Sequence, residues 1–173
     1  MDAEKLLKHM AWANHQIFSK VAELDDKALD AYAVNPEWTV REMTRHIASS
    51  ATWYGWRLLD KSSWSEAEHA LWQAKLDKTE TPATTMKDLQ IVIDRLAAAD
   101  SVLVDAARLP EGTVAREWEG KTIIRARSTI ISQAVHHATE HRAQLVSALE
   151  ARGFTTINLD DYDLWSYADT IGE

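Results

Sequence analysis

Residues 134–153 read AVHHATEHRAQLVSALEARG, and the spacing of their apolar positions decides what kind of fold this chain adopts. Ile131, Ala134, Ala138, Leu145 and Ala148 follow one another at steps of three, four or seven, which places them on one face of an α-helix. Ser128 is the expected N-cap, and Gly153 stands where a helix wants a left-handed residue at its end. His137 and His141 lie one turn apart on that same inward face. His136 is rotated from His137 by about 100° on a 3.6-residue helix. That puts it at the edge of the face, within reach of Glu140.

The same period recurs upstream. Leu6, Met10, Ala13, Ile17 and Leu24 predict a first helix over residues 3–24. Thr39 followed by Glu42 has the form of a capping box, predicting a second helix that starts near Val40 and runs to Leu58. Thr85 and Asp88 offer a third cap, with Leu89, Val92, Leu96, Ala99, Leu103 and Ala106 continuing until Leu109-Pro110 ends the run. Residues 60–82 read as a long polar connection, and residues 111–127 as a short hairpin around Gly120. The last stretch, FTTINLDDYDLWSYADTIGE, carries five carboxylates and no basic residue, and its aromatics are expected to tack it onto the helices. Four amphipathic helices make an all-α chain, a four-helix bundle forming a single domain over residues 1–173.

Composition removes whole classes of function. The chain has no cysteine, so thiolate zinc sites, disulfides and catalytic thiols are excluded, and any nucleophilic sulfur must come from outside. Histidine, aspartate and glutamate are left as the strong metal ligands. A net charge of −8 repels phosphate backbones, and no basic stripe offsets it, so neither nucleic acid nor a membrane surface is an expected partner. No long apolar run is present, and the chain reads as soluble and cytoplasmic. The 8 tryptophans are expected to serve core and loop packing.

Two imidazoles in an apolar stripe must satisfy their ring nitrogens by hydrogen bonds or by a metal, and both readings fit the i,i+4 pair. His46, bordering the inward stripe of the second helix, is the candidate third ligand. If the second and fourth helices are neighbours, three neutral imidazoles converge on one ion and leave coordination positions open for water or substrate. His9, His15 and His69 have no such spacing and read as surface or structural. The letters HATEH also fit the inverted protease pattern H-x-x-E-H with Glu140 as base, but only 32 residues follow His141 to supply a distant ligand. A ferritin-like di-iron site needs two Glu-x-x-His pairs, and Glu66–His69 is a single one in the irregular connection.

The combination of AWANHQIF, WTVREMTRHIASSATWYGWRLL, VHHATEHRAQLVSALEARG and DLWSYA resembles the DinB/YfiT-like family of bacterial metalloproteins over nearly the whole chain. The resemblance implies a stress-associated four-helix bundle, commonly a homodimer, holding a divalent metal, zinc or nickel, on His46, His137 and His141. Relatives of that kind transfer low-molecular-weight thiols such as bacillithiol or mycothiol to small electrophiles. A metal-dependent hydrolase using a bound water, with Glu140 or His136 as base, and a non-catalytic metal-binding bundle remain as alternatives. Glu140 and Arg142 are expected to form an ion pair on the helix surface or at a dimer contact.

Overall fold

The computed structural model describes residues 2–173, apart from the side chain of Thr79. It is mostly helical: α1 (Ala3–Ala22), α2 (Val40–Leu58), α3 (Glu66–Thr79), α4 (Met86–Ala106), α5 (Arg127–Glu150) and α6 (Leu164–Thr170), with a two-stranded hairpin of β1 (Thr113–Trp118) and β2 (Lys121–Ala126). The four long helices α1, α2, α4 and α5 share one core, in which α1 and α2 each pack against both α4 and α5. Leu7, Phe18, Met43, Ile47, Leu96, Leu103 and Leu145 are fully or almost fully buried there. Gly55 lets α2 and α4 approach closely, since a Cβ at this position would stand 3.1 Å from Val102 Cγ1. None of the helices is long and apolar enough to cross a membrane, among the described residues.

Local chemistry sets the helix ends. Asp2 accepts from the Glu4 and Lys5 amides to cap α1, and Thr85 and Asp88 form a reciprocal capping box on α4. At α2 only half of the expected box forms. Thr39 Oγ1 accepts from the Glu42 amide at 3.3 Å, while the Glu42 carboxylate turns to Arg45 Nε at 2.9 Å. Helix α5 ends as its sequence demands: Gly153 takes φ 86°, and the Phe154 amide reaches back to the Leu149 carbonyl at 3.0 Å.

The structure corrects two expectations and adds to a third. The connection after α2 contains a helix, α3, started by a complete capping box between Ser65 and Glu68. Its periodicity was invisible because α3 touches the core along one edge only, where Leu76 is buried and most neighbouring side chains are exposed. Ser128 does not cap α5. Strand β2 runs straight into that helix, and the first-turn groups find partners across the base of the hairpin: the Arg127 amide donates to Gly112 O at 2.9 Å and Ser128 Oγ to Glu111 Oε1 at 3.1 Å. The acidic tail carries a short helix of its own, α6. Tyr167 there is buried against Trp12 and His9, so the aromatics do fasten the tail to α1. The hairpin turns where expected, on Glu119 and Gly120, both at positive φ (50° and 72°), the conformation a two-residue turn needs to match strand twist.

Candidate metal centre

Helices α2 and α5 are packed neighbours, and this brings His46 beside the His137–His141 pair. The ring centroids lie 4.8 Å apart for His46 and His137, 4.7 Å for His46 and His141, and 4.3 Å for His137 and His141. One nitrogen from each of the three falls within 4.8 Å of the others, so the cluster can hold a metal ion. No carboxylate joins it among the described residues. All three rings are half-buried.

The donor set suits a cation. His137 Nε2 and His46 Nε2 are 2.9 Å apart, a separation at which two lone pairs repel unless a proton or a metal lies between them. Burial holds the His137 imidazole down at about 4, reinforced by His141 and His46, and burial likewise lowers His46. Both rings therefore stand neutral at pH 7, the form that ligates. His141 is fixed by Gln144, one turn on in α5. The Trp38 indole N–H can only donate, and it does so to Gln144 Oε1 at 3.0 Å. That same oxygen lies 2.8 Å from His141 Nδ1, which must then carry the proton and leave Nε2 free for a metal.

Aromatic rings wall the site. Trp38 meets His46 and His141 edge-on at 5.2 and 5.5 Å, and Tyr54 meets His137 at 5.7 Å. Of the tryptophans, Trp38 thus serves the cluster, whereas Trp56 of α2, Trp64 and Trp72 of α3 pack on one another, as ordinary packing residues do. Trp38 and Gln144 were not singled out in the sequence. Gln144 had a legible signal, its i,i+3 spacing from His141; Trp38 had none, because it precedes α2 in an irregular segment.

The remaining candidates separate as follows. His136 is exposed, and no ion pair joins it to Glu140 among the described residues. His15 and His69 are exposed, and His9 is half-buried with Nε2 2.9 Å from Tyr162 O, a structural clasp on the tail. Arg142 overturns its expected role. It is only 5% exposed and donates to Asn14 Oδ1 at 2.6 Å and Thr139 Oγ1 at 3.2 Å, not to Glu140. Asn14 in turn donates to Asp100 Oδ2 at 2.9 Å, so a buried polar chain links α5, α1 and α4 directly behind the histidines. A charged residue is read as exposed by default, and Arg142 escapes that default because Asn14 and Asp100 await it across the core.

Searches of curated proteins and of solved structures returned no match. A family model described as "DinB family" matches residues 1–170, essentially the whole chain with its histidine cluster, and the protein belongs to the DinB family.

Proposed function

We propose that this DinB-family protein is a metal-dependent enzyme that joins a low-molecular-weight thiol to a small electrophile, working as a four-helix bundle with His46, His137 and His141 as the ligands of a zinc or nickel ion. The observation that carries the reading is a half-buried cluster of three imidazoles, with no carboxylate in it, in a chain without cysteine. Bound there, a divalent ion supplies Lewis-acid chemistry, favouring the deprotonated form of an incoming thiol. The chain's own residues prepare that site. Burial keeps His46 and His137 neutral, Gln144 fixes the tautomer of His141, and Trp38 and Tyr54 limit water at the cluster. In the transfer the thiol sulfur forms a bond to the electrophilic carbon, the leaving group departs with the electron pair of the broken bond, and the thiol proton passes to solvent.

A hydrolase would call for Glu140 or His136 as a base within the site. Both are exposed and outside the cluster, which favours the thiol reading. Isothermal titration of metal-loaded protein with bacillithiol, mycothiol and glutathione tests it, alongside absorption spectra of the cobalt-loaded form. Binding of at least one thiol with a sulfur-to-cobalt charge-transfer band is expected. A flat titration and an unchanged spectrum with every thiol would refute it.

A further inference from the structure

Beside the histidine cluster, the hairpin folds over the far end of α2 and the first turns of α5. Between them lies a cavity of about 200 Å³ that receives Arg57 from α2, Arg116 from β1 and Arg125 from β2. It adjoins a wider cleft of about 740 Å³ that shares Tyr54, Arg57 and Arg116 and adds Lys61. The only carboxylate lining either space is Glu117, and it is engaged by Thr122 Oγ1 at 2.6 Å. None of the three arginines is ion-paired to a carboxylate among the described residues. Arg116 lies 4.9 Å over the Trp118 ring and Arg125 donates to Ile124 O at 2.9 Å, contacts that leave all three positive charges unneutralised around one cavity.

Geometry ties this basic cavity to the cluster. Tyr54 lines the cavity and meets His137 at 5.7 Å, while Arg57 lies one turn further along α2. On α5, Gln133 and Thr129 line the cavity one and two turns before His137. With a rise of ~1.5 Å per residue, the part of the cavity wall formed by Gln133 and Thr129 lies roughly 6–12 Å along α5 from His137. Guanidinium groups recognise planar or tetrahedral oxyanions through paired N–H donors, and they do so best where water is partly excluded.

We propose that this cavity binds the oxyanion group, carboxylate or phosphate, of an acidic small molecule whose other end lies at the histidine cluster. The reacting end rests on the thiol-transfer reading above; the anion site does not. Arg57 and Arg116 hold the oxyanion, and Arg125 screens it from the cavity mouth. The substrate class is a compact acid that reaches from the histidine cluster to the arginines.

The test is calorimetric titration of the full chain with inorganic phosphate and, separately, with succinate, at low and at high salt, the two arms distinguishing phosphate from carboxylate recognition. The wild-type protein should bind at least one of them. Arg57→Gln with Arg116→Gln should weaken that binding tenfold or more, and Arg116→Gln alone, in the exposed hairpin and without effect on folding, should weaken it several-fold. His137→Ala should bind the anion as the wild type does. No binding to wild type, equal binding by the arginine variants, or loss of binding in His137→Ala would each overturn the proposal. Anion binding in a protein that no thiol perturbs would leave the cavity standing and refute the thiol reading.

Discussion

His46 Nε2 and His137 Nε2 stand 2.9 Å apart although 91 positions separate them in the chain. The contact makes the cluster a cross-link between α2 and α5, so an ion placed there binds the folded chain and has no equivalent site in the unfolded one. Binding should therefore stabilise the fold by RT ln(1 + [M]/Kd), about 4 kcal/mol at a thousandfold excess over Kd. Thermal unfolding with and without a chelator reads this directly. A midpoint that rises on metal loading and returns on chelation is expected; a midpoint indifferent to both would separate the ion from the fold.

Gln144 is predicted to matter through His141 alone. Gln144→Ala removes the acceptor that holds Nδ1 protonated, and the loss of such an outer partner typically costs about 10–100-fold in metal affinity. Gln144 is exposed, so unfolding of the metal-free variant should match wild type. Competition titration against a metal chelator gives the affinity, and unchanged affinity would remove Gln144 from the site.

Arg142 should behave as a core residue. Burial drives its guanidinium down to about 10 even with Asp100 opposing the shift, and its partner Asn14 is fully buried. Arg142→Ala leaves Asn14 Oδ1 unpaired in the core, a loss of about 1–3 kcal/mol. By contrast Arg108→Ala, which breaks the surface pairs with Glu4 and Asp105, should leave stability nearly unchanged. Urea unfolding of the two variants side by side distinguishes a buried anchor from a surface ion pair.

Asp100 gives the fold a pH dependence of defined sign. Burial raises its carboxyl to about 7, with Asn14 and Arg142 only partly opposing the rise, and its Oδ1 is buried without a partner among the described residues. Between pH 4 and 7 the folded chain keeps this proton while the unfolded chain has released it. Stability from this group is thus complete below the ordinary carboxyl range and is lost as pH rises, by up to about 4 kcal/mol. Asp100→Asn cannot ionise, so its stability advantage over wild type should grow from pH 4 to pH 7 and then level off. Parallel urea curves at every pH would contradict this.

The helices that face the core on a broad stripe were legible in the sequence. Residues 3–24, 40–58 and 85–106 were placed to within a few positions because burial imposes a 3.6-residue period on their apolar side chains. Helix α3 was not, because a helix touching the core along one edge needs no such period and declares itself only through the Ser65–Glu68 cap. The His46, His137 and His141 convergence was legible because two ligands share a helix face and the third sits on a neighbouring one. What surrounds them was not: the polar chain from Arg142 runs to Asn14, 128 positions away, and through it to Asp100, and no local pattern links residues that meet only across a core. The arginine cavity was hidden for the same reason, since it forms only when the hairpin folds back over α2.

The central claim is that these three histidines are the ligands of one ion. Elemental analysis of protein purified without added metal, with His46→Ala, His137→Ala and His141→Ala prepared in parallel, tests it most directly. The account predicts close to one equivalent of a divalent transition metal per wild-type chain and a large loss in each of the three variants, with His136→Ala retaining the full amount. Metal content unchanged in the His137→Ala variant would contradict it.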